Sequence, residues 1–371
     1  MKIGFDAKRA FYNYSGLGNY SRNVIKSLHQ HFAEHEYVLY TPSLKNAIIF
    51  IEAGNVSIVT PDKRAGRVLK GYWRSFLLAQ QLKRDKIDIY HGLSNELPAK
   101  INEAKIKSVV TIHDLIFIRY PELYKAIDRE IYNRKFKYSS QVADRVIAVS
   151  QQTKDDLMEY YKIEESKIQV IYQGCDERFK IKWTANAVQE IKQKYHLPEP
   201  YILYVGTIEE RKNLLNVVKA LHLGKIGLPL VIVGKTTPYL KQVVNYICKN
   251  RVENTIFLRA IPFDDLPGLY QGARLFIYPS VFEGFGIPIL EALQSGIPVI
   301  TTKGGCFEEV GGQAAYYVDP MNVEEIIQGI NTILSNTSLR EKMVTLGNEQ
   351  SGKFSNFEIA NQIMNVYKGI I

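Results

Sequence analysis

Glu283 and Glu291 stand eight positions apart in the segment Tyr278-Pro279-Ser280-Val281-Phe282-Glu283-Gly284-Phe285-Gly286-Ile287-Pro288-Ile289-Leu290-Glu291-Ala292. A strand is expected to end near Tyr278, and a glycine-punctuated loop follows it. Pro288 suits the first turn of the next helix, where its missing N–H would have no partner anyway. Glu283 then falls in the loop and Glu291 early in the helix, so the two carboxylates are not stacked on one helical face. Glu291 is placed to accept hydrogen bonds from a ribose diol, as the acidic residue of a nucleotide fold does. Glu283 is placed to bind sugar hydroxyls, with the N–H groups of Gly284, Phe285 and Gly286 beside it. Packing alone is a poor account of two carboxylates in so apolar a loop.

Three further clusters carry possible chemistry. In Gly206-Thr207-Ile208-Glu209-Glu210-Arg211-Lys212-Asn213, two adjacent cations are expected to open a helix. Exposed cations there oppose the helix dipole, which hints at function, and a planar guanidinium beside an ammonium suits a diphosphate. Thr111-Ile112-His113-Asp114 closes an apolar strand. Ligands of open α/β sheets bind beyond the carboxyl ends of strands, so His113 and Asp114 sit where chemistry usually happens. Ser15-Gly16-Leu17-Gly18-Asn19-Tyr20 precedes a helix running to about His31, and its glycines allow backbone N–H groups to approach an anion. Ser21 stands where a dinucleotide fingerprint needs its third glycine, and about nine residues of loop precede the motif, which argues against a nicotinamide enzyme.

These groups need a scaffold of strands whose carboxyl ends converge. Short β-branched and aromatic runs alternate with helical patterns, the mark of βα units and a parallel sheet. Strands are expected at Lys2–Phe5, Tyr37–Tyr40, Val56–Val59, Ile87–Tyr90, Ser108–Ile112, Arg145–Val149 and Gln169–Ile171 in one series. A second series comprises Tyr201–Val205, Leu230–Val233, Ile256–Leu258, Leu275–Tyr278, Val299–Thr301 and Ala315–Val318. Between them, the charged stretch Asp176–Pro200 reads as a linker with a short helix, and Phe357–Tyr367 as an amphipathic terminal helix.

A length of 371 residues with 46% hydrophobic and 23% charged residues fits two globular domains and excludes a disordered chain. Cys175, Cys248 and Cys306 are too scattered for a disulfide framework or a zinc site and suit a reducing compartment. Neither a signal-peptide pattern nor an apolar run of membrane-spanning length occurs. The expectation is a cytoplasmic protein, with any membrane contact peripheral at the inner face of the cytoplasmic membrane. The net charge of +9 is lopsided: residues 1–180 hold 29 Lys and Arg against 21 Asp and Glu, the remainder 18 against 17. An anionic partner of the N-terminal half is implied.

The ordered set Ser15–Tyr20, Thr111–Asp114, Val146–Ser150, Gln173–Asp176, Gly206–Asn213, the Glu283/Glu291 pair and Phe307–Gly311 resembles glycosyltransferase family 4 over nearly the whole chain. The resemblance implies an α/β GT-B fold: two Rossmann-like domains facing across a cleft, the final helix crossing back to the first. Domains are expected at 1–178 with 357–371 (acceptor-binding) and at 179–356 (nucleotide-sugar-binding). It further implies that Arg211 and Lys212 hold the donor diphosphate, Glu291 the ribose, and Glu283 with Gly284, Phe285 and Gly286 the transferred sugar. Gly206 belongs to the same donor site, and the base is expected near Arg259–Pro262, with Ile261 among the donor-binding residues. Gly16 and Gly18 would approach the phosphate or the acceptor, and His113 the donor sugar, with Asp114 accompanying it. The sequence departs from the common pattern at Thr207, at Arg259-Ala260 and at Cys306-Phe307-Glu308-Glu309.

The implied reaction is retaining glycosyl transfer, with GDP-mannose the favoured donor, to a glycan or lipid-linked acceptor in surface-polysaccharide synthesis. No Asp-x-Asp occurs, so no metal and no cofactor are expected, and the charge of the leaving diphosphate falls to Arg211, Lys212 and loop N–H groups. Two alternatives are a sugar-nucleotide epimerase of the same fold and a non-catalytic nucleotide-sugar binder. The Glu283/Glu291 signature speaks against the first, the intact Glu283, His113 and Arg211-Lys212 set against the second, and the lack of an RNA-binding motif against nucleic acid. The basic stretch 62–86, in which Tyr72, Trp73, Phe76, Leu77 and Leu78 interleave with Lys70, Arg74 and other cations, suits a helix on an anionic bilayer. On that reading Lys70 and Arg74 face lipid.

Overall fold

The computed structural model describes all residues except 46, 49, 52–53 and 62–70. The chain divides into two compact units, Met1–Cys175 with Phe354–Ile371, and Asp176–Lys353. The expected division at 178/179 and 356/357 thus falls at 175/176 and 353/354.

The first unit is built on β1 (Lys2–Asp6), β2 (Glu36–Tyr40), β3 (Val56–Val59), β4 (Ile89–Gly92), β5 (Lys107–Ile112), β6 (Arg145–Ala148) and β7 (Ile168–Val170), ordered β3-β2-β1-β4-β5-β6-β7. All pairings are parallel, with Ile3 opposite both Tyr37 and Ile89. The second holds β8 (Ile202–Val205), β9 (Leu230–Val233), β10 (Thr255–Leu258), β11 (Leu275–Tyr278), β12 (Val299–Thr302) and β13 (Ala315–Val318), ordered β10-β9-β8-β11-β12-β13 and again all parallel. Continuous apolar strands such as Leu230–Val233 follow from having helices on both faces, because neither side of the strand meets water. Every strand placed from the sequence is present, shifted by at most two residues.

In each unit the strand order reverses between the first and fourth strands, β1 and β4 or β8 and β11, and loops leaving such neighbours diverge to leave a crevice. The loops that carry the candidate residues start there or one strand away, except that of Ile261, which follows β10, two strands from β8. The terminal helix Asn356–Lys368 starts at the cap Ser355 and buries Ile359, Ile363, Met364 and Tyr367 against Val24, Ile25 and Leu28 of the helix Gly16–His31.

Two segments differ from expectation. The presumed loop before Gly16 contains a short helix, Lys8–Tyr12, that buries Ala10 and Phe11. The stretch Asp176–Pro200 is an integral part of the second unit: Phe179 is fully buried between the rings of Tyr270 and Phe263, and Ala185–Lys194 forms a capped helix. Most of its charged residues lie outward, Lys192 being buried, while Phe179 and Ile191 anchor it.

Candidate functional site

Adjacency of β8 and β11 brings the loop after Val205 beside the loop after Tyr278. The two are stitched by Val281 N–H donating to the Arg211 carbonyl at 2.8 Å. Arg211 and Lys212 lie in a 3-10 turn, Glu210–Lys212, closed by Asn213 in the left-handed region. They do not open the helix, which starts at Leu214, and they are not solvated: their side chains are 14% and 12% exposed. The unfavourable exposed pair expected from the sequence is instead an inward-facing one.

What it faces is Glu283. The carboxylate Oε1 lies 2.9 Å from the Arg211 guanidinium and accepts from Lys212 Nζ, from Tyr278 Oη at 2.8 Å and from Ser280 Oγ at 2.8 Å. Arg211 also donates to the Phe282 carbonyl and to Glu209 at 2.7 Å. Burial alone would raise the Glu283 pKa, but Arg211, Lys212 and Ser280 outweigh it and hold the carboxyl at about 2. Burial lowers Lys212, against the attraction of Glu283. The cluster is therefore an ionised carboxylate between two cations, largely desolvated, where electrostatic interactions are stronger than in water.

Gly286 ends this loop at φ 111°, a conformation costly for any residue with a Cβ, and so turns the chain into the helix Ile287–Ser295. Gly284, Phe285 and Gly286 are all buried. Glu291 lies in the middle of that helix, not early, and accepts from Tyr270 Oη at 2.9 Å. Burial raises its pKa to about 8, with Tyr270 opposing and the Asp176 charge reinforcing the rise. The two glutamates are thus opposites, one kept ionised and the other kept protonated near neutrality. Gly206 follows β8 beside the Tyr278 ring, and Ile261 is half-buried in the loop after β10.

In the first unit, His113 follows β5 and is buried, at 6% exposure. Its Nε2 lies 2.9 Å from the Leu93 carbonyl, which can only accept, so that nitrogen carries the hydrogen. Nδ1 lies 3.3 Å from the Gln173 amide nitrogen, and the His113 backbone N–H donates to Asn95 Oδ1 at 2.7 Å. Burial lowers the His113 pKa to about 4, so the ring is neutral. Asp114 Oδ1 accepts from the Ile116 N–H at 3.2 Å, turning the chain away from the strand. Gly16 and Gly18 lie inside the first turn of the helix Gly16–His31. A Cβ on Gly18 would come 1.8 Å from the Asn13 carbonyl oxygen, whereas one on Gly16 would meet nothing within 4 Å.

The structure thus joins Arg211, Lys212 and Glu283 in one cluster, holds Glu291 in a neighbouring one, and gathers His113 with the helix that bears Gly16 and Gly18. Tyr278, Ser280, Tyr270, Asn95 and Gln173 were given no role from the sequence, yet they hold these groups. Tyr278 and Ser280 lie in the segment that carries Glu283. Asn95 gave no signal, although its backbone is in the left-handed region at φ 66°.

The basic stretch is corrected in part. Residues 62–70, Lys70 included, lie outside those described. Arg74 does not face lipid: it donates to both carboxylate oxygens of Asp6 and to Glu96 at 3.1 Å, within a turn of π-helix, Trp73–Leu77. Trp73 and Leu78 are core residues, while Tyr72, Phe76 and Leu77 are exposed. No described helix is long and apolar enough to cross a membrane, and no described group of three or more His, Cys, Asp or Glu is arranged to hold a metal.

Comparison with known proteins places this geometry in a class. Residues 14–179 match the family described as Glycosyltransferase Family 4, and residues 187–350 match Glycosyl transferases group 1. The chain is 30% identical to the O-antigen chain mannosyltransferase B of Escherichia coli, over 99% of this chain and 100% of that protein. Its fold is similar to that of WaaG, a glycosyltransferase involved in lipopolysaccharide biosynthesis (17% identity, all of both chains, TM-score 0.74), and to Anabaena HepE in complex with UDP and glucose (17%, 99% of both chains, TM-score 0.75). Fold and matches define a glycosyltransferase of the GT-B class. The chain belongs to glycosyltransferase family 4.

Proposed function

We propose that this glycosyltransferase moves a hexose, with mannose from GDP-mannose the favoured case, onto a glycan or lipid-linked acceptor during synthesis of a surface polysaccharide. One observation carries the reading: Arg211, Lys212 and Glu283 converge in a buried cluster at the carboxyl ends of β8 and β11. The preference for mannose rests on the similarity to the Escherichia coli mannosyltransferase along its full length.

In this reading Arg211 and Lys212 meet the diphosphate and stabilise the charge that grows on it as the glycosidic bond breaks, with no metal required. Glu283 accepts hydrogen bonds from hydroxyls of the transferred sugar, beside Gly284, Phe285 and Gly286. Glu291 serves the ribose, where a protonated carboxyl can donate as well as accept. Gly206 and Ile261 flank the nucleotide. His113 contacts the donor sugar as a neutral imidazole, with Asp114 next to it and the Gly16 and Gly18 turn offering backbone N–H groups. Attack from the face the leaving group departs gives retention, the departing phosphate helping to remove the acceptor's proton. Peripheral contact with an anionic bilayer is assigned to the exposed Tyr72, Phe76 and Leu77 and neighbouring cations.

A thermal-shift screen with GDP-, UDP- and dTDP-sugars tests the donor assignment. A ligand at about 100 times its Kd adds roughly 2.7 kcal/mol. The largest shift is expected with GDP-mannose, undiminished by EDTA. A larger shift with a UDP- or dTDP-sugar rejects the donor, and a shift abolished by EDTA rejects metal independence.

A further inference from the structure

We infer that Tyr20 is a positioning residue for His113, and that Tyr367 of the terminal helix anchors it through His91 and Thr111. The inference rests on the assignment of His113 to the donor sugar made above.

Both in-plane nitrogens of the His113 ring are engaged, Nε2 by the Leu93 carbonyl and Nδ1 by the Gln173 amide. Two hydrogen bonds in the ring plane leave rotation and tilt to be set by what packs on the ring. Tyr20 packs there edge to face, with centroids 4.7 Å apart and planes at 90°. It belongs to the helix whose first turn contains Gly16 and Gly18, so that turn and the imidazole are placed by one rigid element.

Tyr20 is itself held at its far end. Its hydroxyl lies 3.0 Å from Thr111 Oγ1, two residues before His113. Thr111 Oγ1 lies 2.8 Å from His91 Nε2, on the neighbouring strand β4. His91 Nδ1 lies 2.6 Å from Tyr367 Oη. Tyr20 is 4% exposed and the other three are fully buried, so the series is shielded from bulk solvent.

The polarity of the chain follows from satisfying buried hydrogens. Among the described residues Tyr367 Oη has the single partner His91 Nδ1, so its hydrogen is satisfied there by donating to that nitrogen. His91 is then protonated on Nε2 and donates to Thr111 Oγ1, which bonds Tyr20 through its own hydrogen or its second lone pair. Burial, with His113 nearby, keeps His91 neutral and capable of this role. A hydroxyl on the terminal helix thereby fixes the tautomer of His91 and, through two further bonds, the ring that rests on His113. The relay carries position and not protons.

The test uses the full-length protein with Y20L, Y20F and Y367F, read by steady-state kinetics and by the ring resonances of 15N-labelled histidine. Y20L is expected to shift the His113 ring signals and lower kcat about tenfold or more, with KM for the donor within about twofold. Y367F is expected to move the His91 signals off the Nε2–H tautomer pattern and to lower kcat less than Y20L does. Y20F, which keeps the ring, is expected to recover most of the kcat lost in Y20L. Melting curves show whether each variant folds; should Y20L fail to, the His91 signals and kcat of Y367F decide. Unchanged His113 signals and kcat in folded Y20L, or an unchanged His91 pattern in Y367F, overturn the inference. Shifted histidine signals in a protein without transferase activity would reject the proposed function and leave the positioning relay standing.

Discussion

The Arg211 guanidinium lies 2.9 Å from the Glu283 carboxylate, and each side chain is less than one-sixth exposed. With Lys212 on the same oxygen, the pair is a site charge balance as well as a structural joint between the β8 and β11 loops. Removing one member leaves a buried charge uncompensated, which costs more than an exposed pair is worth.

Glu283→Gln is accordingly expected to lower kcat about a hundredfold or more while the protein remains folded, since the amide keeps the shape and loses the charge. Lys212→Ala should lose similar activity at the smaller cost in stability, since Arg211 still balances Glu283. Glu283→Gln leaves two buried cations and should destabilise the second unit by about 3 kcal/mol. Kinetics with urea unfolding check both. Near-normal kcat in either variant removes these residues from the reaction.

The two glutamates give opposite pH dependences of stability. Glu283 has a depressed pKa in the folded state, so its contribution is present above the unfolded carboxyl range and is lost as pH falls from about 4.5 to about 2. Glu291 has a raised one, so the folded state binds the extra proton and its contribution fades as pH rises from about 4.5 through about 8. Between pH 6 and 8, Glu291→Gln should flatten the decline in Tm, the slope removed being at most about 1.4 kcal/mol per pH unit. Identical wild-type and variant slopes would place Glu291 in contact with water.

The glycine turn separates structure from chemistry. Gly18→Ala drives a Cβ onto the Asn13 carbonyl and should cost about 1–3 kcal/mol in an unfolding titration. Gly16→Ala meets open space, so its stability should stay within about 0.5 kcal/mol of wild type. A raised KM in Gly16→Ala without loss of stability supports approach of a substrate anion to this turn.

Arg74 offers a check on the basic stretch. Because it is buried between Asp6 and Glu96, Arg74→Glu should destabilise the first unit by about 3–5 kcal/mol. Phe76→Asp with Leu77→Asp should instead leave Tm nearly unchanged and weaken binding to anionic vesicles in a sedimentation assay. Unaltered sedimentation dismisses this surface as the membrane contact.

Strands such as Leu230–Val233 and Ala315–Val318 were legible because a parallel sheet covered on both faces requires short, continuous apolar runs, and little else produces them in alternation with helices. Glu283 was legible for the converse reason, as a carboxylate in an apolar glycine loop. The orientation of Arg211 and Lys212 was not, since a pair of cations reads as exposed until a carboxylate 71 or more positions away is known to face it. Arg74 was misread in the same way, its partner Asp6 lying 68 residues earlier. Tyr20 and Thr111 lie within quoted motifs, but they converge with His91 and Tyr367 only once helix and sheet are packed.

The central claim is transfer of a sugar from a nucleotide donor by the Arg211–Lys212–Glu283 cluster. Its most direct test incubates wild type and Glu283→Gln with GDP-mannose and an oligosaccharide acceptor in EDTA, and reads the product by mass spectrometry and the anomeric proton by NMR. One added hexose with the α configuration of the donor is expected from wild type and is expected to be nearly absent with the variant. An inverted product, or equal transfer by both proteins, contradicts it.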